Sequence, residues 1–156
     1  MNWFARRGIT RTDEDVMILQ IPDVRQQSDF DCGAACIEAV LQLGGRTPPD
    51  SLANPVQGMA PDTLEAVLRS VGVRVISGTM CVDDLKHFTR GGRPVICPTD
   101  IEGGHWVIVA GVGRGRVHYH DPDAGMQSVA ESKWRSLWCG STRFGHAFDR
   151  WGIAAG

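Results

Sequence analysis

The sharpest periodicity in the chain follows Asp31, where Cys36, Ala39, Val40 and Leu43 recur at i, i+3, i+4 and i+7 and so share one face of a helix. Gly44-Gly45 ends it, which leaves Cys32 at or near the helix N-terminus. Leu64, Val67, Leu68 and Val71 repeat the spacing, with Asp62 and Glu65 as a cap pair and Gly72 as the stop, predicting a second helix over 62–71. Residues 73–76 and 94–97 are short, β-branched and bounded by Gly or Pro, as strands are; 83–88 between them predicts a third, short helix. Residues 106–112 are apolar at both parities, which suits a strand covered on both faces. A Gly/Arg turn over 113–116 leads into 117–120, so the two runs predict a hairpin that Pro122 stops because it lacks an N–H.

Residues 1 to about 20 are mixed and charged and read as an N-terminal extension. The domain then spans 21–139, and 140–156, with Arg143, His146, Arg150 and Trp151, is a C-terminal extension packed on it. There is no repeat, low-complexity tract or interdomain linker.

Composition narrows the class. A chain of 156 residues, 42% hydrophobic and 22% charged, suits one globular domain. At that length roughly 70% of the unfolded surface is buried, so neither disulfide nor structural metal is needed. A net charge of -2 argues against nucleic acid as a partner, since phosphate binding requires a basic face. No apolar run reaches the ~20 residues that span a bilayer, and residues 1–8 carry no signal-peptide core, so the expectation is a cytoplasmic, not membrane-spanning protein. The cysteines, at 32, 36, 81, 97 and 139, are odd in number and only the first two are close, which fits neither a disulfide framework nor a zinc ribbon. Most should be small buried hydrophobes.

A thiol becomes a nucleophile near neutral pH only where its thiolate is stabilised, and a helix N-terminus does this through unpaired N–H groups and its dipole. Cys32 alone has that address; Cys36 lies one turn deeper and Cys97 inside a strand run. His105, after Gly103-Gly104, opens the apolar strand, and Asp121 ends the returning one. With the turn near Gly113–Gly115 the two are opposite or one diagonal step apart on one face. That arrangement suits a base and the carboxylate that fixes its tautomer. Gln26, six residues before the thiol, is a neutral amide of the type that donates to a developing oxyanion; Gln27 competes for the role.

Gln26 to Cys36, reading Q-x-x-x-x-D-C-G-x-x-C, followed by His105-Trp106-Val107-Ile108-Val109 and Asp121-Pro122, resembles the double-glycine leader peptidases, cysteine peptidase family 39. The resemblance runs from about Val24 to Trp138. It implies an α+β papain-like fold, with the Cys32 helix in a helical half and an antiparallel sheet carrying His105 and Asp121. It also implies Cys32 as nucleophile, His105 as general base and then acid, Asp121 as the orienting residue, and Gln26 with the Cys32 N–H as oxyanion donors. Gly33 would let the chain enter the helix close to the substrate. The implied reaction is peptide hydrolysis through a Cys thioester after a Gly-Gly pair in a leader peptide, with a separate ABC exporter as a partner. The same chemistry also serves an acyltransferase, transpeptidase or isopeptidase, and the fold without catalysis serves as a peptide-binding module.

The remaining motifs point to no cofactor. His118 and His120 share one face of a strand but lack a third ligand at suitable spacing, so no metal is expected. Gly113-Arg114-Gly115 has no helix after it and is a turn, not a phosphate loop. Trp134, Trp138 and Trp151 read as core caps, and Lys133 and Arg135 as a solvated face.

Overall fold

The computed structural model describes residues 16–29, 31–52, 59–138 and 148–156. The first helix, α1 (Cys32–Leu43), is followed by α2 (Pro61–Ser70), β1 (Val75–Thr79), α3 (Val82–Arg90) and β2 (Val95–Thr99). A hairpin of β3 (His105–Gly113) and β4 (Arg116–Asp121) comes next, then β5 (Gly125–Ala130), α4 (Glu131–Trp138) and β6 (Trp151–Ala155). The strands form one antiparallel sheet in the order β1-β6-β2-β3-β4-β5.

Helices cover both faces of that sheet. On one, Ile37 and Leu41 of α1 and Leu64 and Leu68 of α2 pack against Ile96, Ile108 and Ile153. On the other, Leu85 of α3 and Trp134 and Trp138 of α4 pack against Val95, Val107, Val109 and Val117. This explains why β3 is apolar at both parities: all nine of its residues are buried. A bulge between Val109 and Gly111 leaves Ala110 as an extra residue, so Ala110 faces α1 while Val112, two positions on, faces the α3 side.

Several expectations are corrected. The α2 helix starts at Pro61 behind Ala60, and neither Asp62 nor Glu65 caps it; the fixed φ of proline opens the helix instead, and Glu65 faces Arg69 at 3.8 Å. The first strand begins at Val75, not 73. The boundary at 139 cuts through the fold, because β6 lies inside the sheet between β1 and β2, with Ile153 and Ala154 fully buried. The boundary at 20 is also too late. Leu19 donates its N–H to the Ala110 carbonyl at 2.9 Å, and Val16 and Met17 lie directly over Gly113 and Gly111, where any Cβ would collide with them.

Candidate active site

The α1 helix brings Cys32 to the end of the sheet where β3 begins. Asp31, in front of it, makes no side-chain cap. Its carboxylate turns back and accepts the N–H groups of Gln27 and Ser28, each at 2.9 Å, and the Ser28 hydroxyl at 3.2 Å, which folds the preceding loop onto the helix start. Gly33 is closely packed: a Cβ there would lie 3.2 Å from both Met59 Cβ and Trp106 Cδ1, tighter than an ordinary contact. Trp106, 1% exposed, is pinned by its indole N–H donating to the Met59 carbonyl at 2.9 Å.

His105 is the first residue of β3 and Asp121 the last of β4. Ile108 pairs with His120, which sets Asp121 beside Val107 and one diagonal step from His105. The Asp121 Oδ1 accepts the His105 Nε2–H at 2.6 Å and also the Asp123 N–H at 2.8 Å. Both side chains are buried. The imidazole is also hydrogen-bonded to the Cys32 thiol. Because Asp121 holds Nε2, Nδ1 is the nitrogen left for sulfur. Behind the histidine, the buried Thr99 donates its hydroxyl to the His105 carbonyl at 2.9 Å.

The charges follow from these contacts. Burial works against ionising the Cys32 thiol, but the hydrogen bond from His105, the Trp106 and Gly33 backbone and the imidazolium charge together bring its pKa below the usual value. Burial likewise opposes the imidazolium, and hydrogen bonds to Asp121 and Cys32 overcome it, raising His105 to about 10. Asp121 is lowered despite its burial, chiefly by the His105 bond and the Asp123 N–H. The arrangement therefore favours a thiolate–imidazolium pair held by a carboxylate. Cys36, fully buried, is pushed well above the usual thiol value by that burial, and so is Cys97.

Of the other expected site residues, Gln26 sits close by but engages its own loop. Its backbone N–H donates to the Pro122 carbonyl at 2.9 Å, its side-chain amide donates to the Ser28 carbonyl at 3.1 Å, and its Oε1 is buried without a partner. Gln27 is exposed. His118 is half-buried, whereas His120 is buried and donates Nε2–H to Asp23 at 2.9 Å. Among the described residues no group of three His, Cys, Asp or Glu is placed to hold a metal. Trp134 and Trp138 are buried and Trp151 half-buried, while Lys133 and Arg135 are exposed. Cys81 is exposed at the start of α3, and Cys139 lies outside the described residues. Asp31, Thr99 and Trp106 act on the site although none was assigned a role from the sequence, where Asp31 and Trp106 stood only as members of the quoted motifs. Only Asp31, adjacent to the thiol, carried a local signal, since the other two contacts depend on strand register and on α1 docking.

The model of the peptidase C39 family matches residues 20–144, which include Cys32, His105 and Asp121. The chain belongs to the peptidase C39 family. Within the curated proteins it is 26% identical over 141 residues to the Probable functional amyloid protease FapD of Pseudomonas aeruginosa, covering 81% of this chain and 62% of that one. The chain thus spans less than two thirds of that relative's length. Its fold is shared with a double glycine motif protease from an AMS/PCAT transporter, solved in complex with leader peptide, at TM-score 0.68 and 16% identity over 89% of this chain and 93% of the other. The peptidase domain of Streptococcus ComA, a bi-functional ABC transporter, superposes at 0.67 and 19% identity over 85% and 95%. A C39-like peptidase from Bacillus anthracis does so at 0.69 and 15% over 91% and 98%. The fold of this C39 chain is accordingly α+β and papain-like, with the antiparallel sheet expected and helices on both of its faces. No helix among the described residues is long and apolar enough to cross a membrane.

Proposed function

We propose that this C39 chain is a cysteine peptidase in which Cys32 attacks the scissile carbonyl. His105 takes the thiol proton and returns it to the leaving amine, and Asp121 holds the imidazole in the productive tautomer. The observation that carries this reading is the His105 ring, bonded through Nε2 to Asp121 at 2.6 Å and hydrogen-bonded as well to the Cys32 side chain. That pairing supports both halves of a thioester mechanism, acylation with release of the amine and then hydrolysis by water that the imidazole deprotonates. Gln26 and the Cys32 N–H are assigned to the oxyanion. For Gln26 this role requires its amide to leave the Ser28 carbonyl when substrate arrives, and the buried, unpartnered Oε1 supports a side chain that is not at its best-satisfied position.

The substrate proposed is a peptide leader cleaved after a Gly-Gly pair, in a cytoplasmic setting with a separate ABC exporter as partner. Support comes from the shared fold with a double glycine motif protease bound to leader peptide and from family membership. The test is a pair of peptides differing only in Gly-Gly against Ala-Val before the cut, assayed with purified protein. Cleavage of the Gly-Gly peptide alone is expected; equal cleavage of both would refute the double-glycine specificity and leave the thiol chemistry standing.

A further inference from the structure

Outside the three residues just described, a polar network lies where residues 16–26 cross β3 and β4. Asp23 Oδ1 accepts both the Arg25 Nε–H at 2.6 Å and the His120 Nε2–H at 2.9 Å. His120 is 1% exposed and its Nδ1 has no partner, so this buried ring is fixed to the strap through one bond alone. From the same guanidinium, one NH1–H donates to the Asp123 carbonyl at 3.0 Å. Beside it, Gln26 donates its backbone N–H to the Pro122 carbonyl at 2.9 Å.

These bonds converge on the turn that carries Asp121. Gly125, at φ +83, closes that turn, and a Cβ there would lie 2.5 Å from the Arg25 NH2, so the guanidinium occupies the space a side chain would take. A planar fork suits this position, since it reaches Asp23 on one side and the turn carbonyl on the other. Stability does not account for Arg25 in this arrangement: the Asp23 and Arg25 side chains are 65% and 48% exposed, and exposed ion pairs contribute little. What the network does fix is the geometry of residues 121–125, whose Asp123 N–H also donates to the Asp121 carboxylate.

We propose that Arg25, anchored through Asp23 to His120, is a positioning residue that holds the 121–125 turn so that Asp121 stays within hydrogen-bonding reach of His105. The proposal rests on the catalytic reading of Cys32, His105 and Asp121, and extends it to residues on the strap. Loosening the turn weakens the carboxylate's hold on the imidazole, and the imidazole's hold on the thiolate weakens with it.

The experiment measures iodoacetamide labelling of Cys32 by peptide mass spectrometry from about pH 5 to 9, where rate follows the thiolate fraction, in the wild-type chain, Arg25→Ala, Asp23→Ala and Asp23→Asn. Arg25→Ala is expected to move the midpoint upward by about one pH unit and to slow labelling near pH 6 about tenfold, with an unchanged thermal midpoint. Asp23→Ala moves in the same direction. Asp23→Asn keeps an acceptor for Arg25 and His120 and stays within about twofold of wild type. Wild-type rates and midpoints in both alanine variants would overturn the proposal while leaving the catalytic reading intact, and so would an equal loss in Asp23→Asn. If wild-type Cys32 labels no faster than Cys81, the catalytic reading falls and the proposal with it.

Discussion

Asp121 meets His105 across one diagonal step of the β3–β4 hairpin, Oδ1 to Nε2 at 2.6 Å, and this single contact decides which imidazole nitrogen faces Cys32. His105→Ala should remove turnover almost completely, because proton removal and return both pass through the ring. Asp121→Asn still offers an oxygen to Nε2–H and should leave measurable activity, whereas Asp121→Ala should leave far less. Steady-state kinetics on the three variants checks the order; equal loss in Asn and Ala would contradict the tautomer argument.

The two glutamines should separate cleanly. Gln26→Ala is expected to lower kcat by ~10², the cost of one oxyanion donor, with KM little changed. Gln27→Ala should do little, since the Gln27 contact seen is its backbone N–H on Asp31 and that survives the substitution. Matching effects would show that Gln26 serves its loop and not the oxyanion.

The pH dependence follows from the two shifted groups. Cys32 ionises as pH rises through a value below the usual 9.0, and His105 keeps its proton until about 10, so the thiolate–imidazolium pair exists between them. A bell-shaped kcat/KM profile is expected, with its acid limb centred below 9.0 and its alkaline limb near 10. The same group affects stability. The folded pKa of His105 stands above its unfolded value of 6.5, so its contribution is fully present below pH 6.5 and lost as pH rises through about 10. Thermal melts across that range should show the loss in wild type but not in His105→Ala.

Gly33→Ala tests the packing beside the nucleophile. Alanine favours a helix over glycine by about 1 kcal/mol, but overpacking costs about 1–3 kcal/mol, and the 3.2 Å approach to a pinned Trp106 leaves little room to relax. Urea denaturation should show net destabilisation of roughly 1 kcal/mol, with slower turnover as Cys32 shifts. A more stable variant would mean that Met59 and Trp106 yield freely.

How far the fold could be read from the chain differs by element. The α1 helix, β3 and the β3–β4 hairpin were legible because period, Gly punctuation and Pro122 are local signals, and the hairpin put His105 and Asp121 opposite or one diagonal step apart, a choice that the register settles as the diagonal. β6 was not legible: its five residues carry little pattern, and their place depends on pairing with β1 and β2, far earlier in the chain. The strap was missed for a similar reason, since its anchor is the Ala110 carbonyl freed by a bulge that no local pattern announces. The α2 cap failed because Pro61 already fixed the helix start. At the site, the motif positions placed Cys32, His105 and Asp121, but the attachment of the Gln26 amide to Ser28 depends on the loop fold that Asp31 imposes.

The central claim is that Cys32 is held as a thiolate by His105, and competition among the thiols for a limiting amount of iodoacetamide near pH 6 tests it most directly. Access and ionisation predict opposite results: Cys32 is 2% exposed, while Cys81 is exposed at the surface. If the thiolate governs the rate, peptide mass spectrometry will find the label on Cys32 ahead of Cys81, and His105→Ala will abolish that preference. Label on Cys81 first, or a Cys32 preference that survives His105→Ala, would contradict the account.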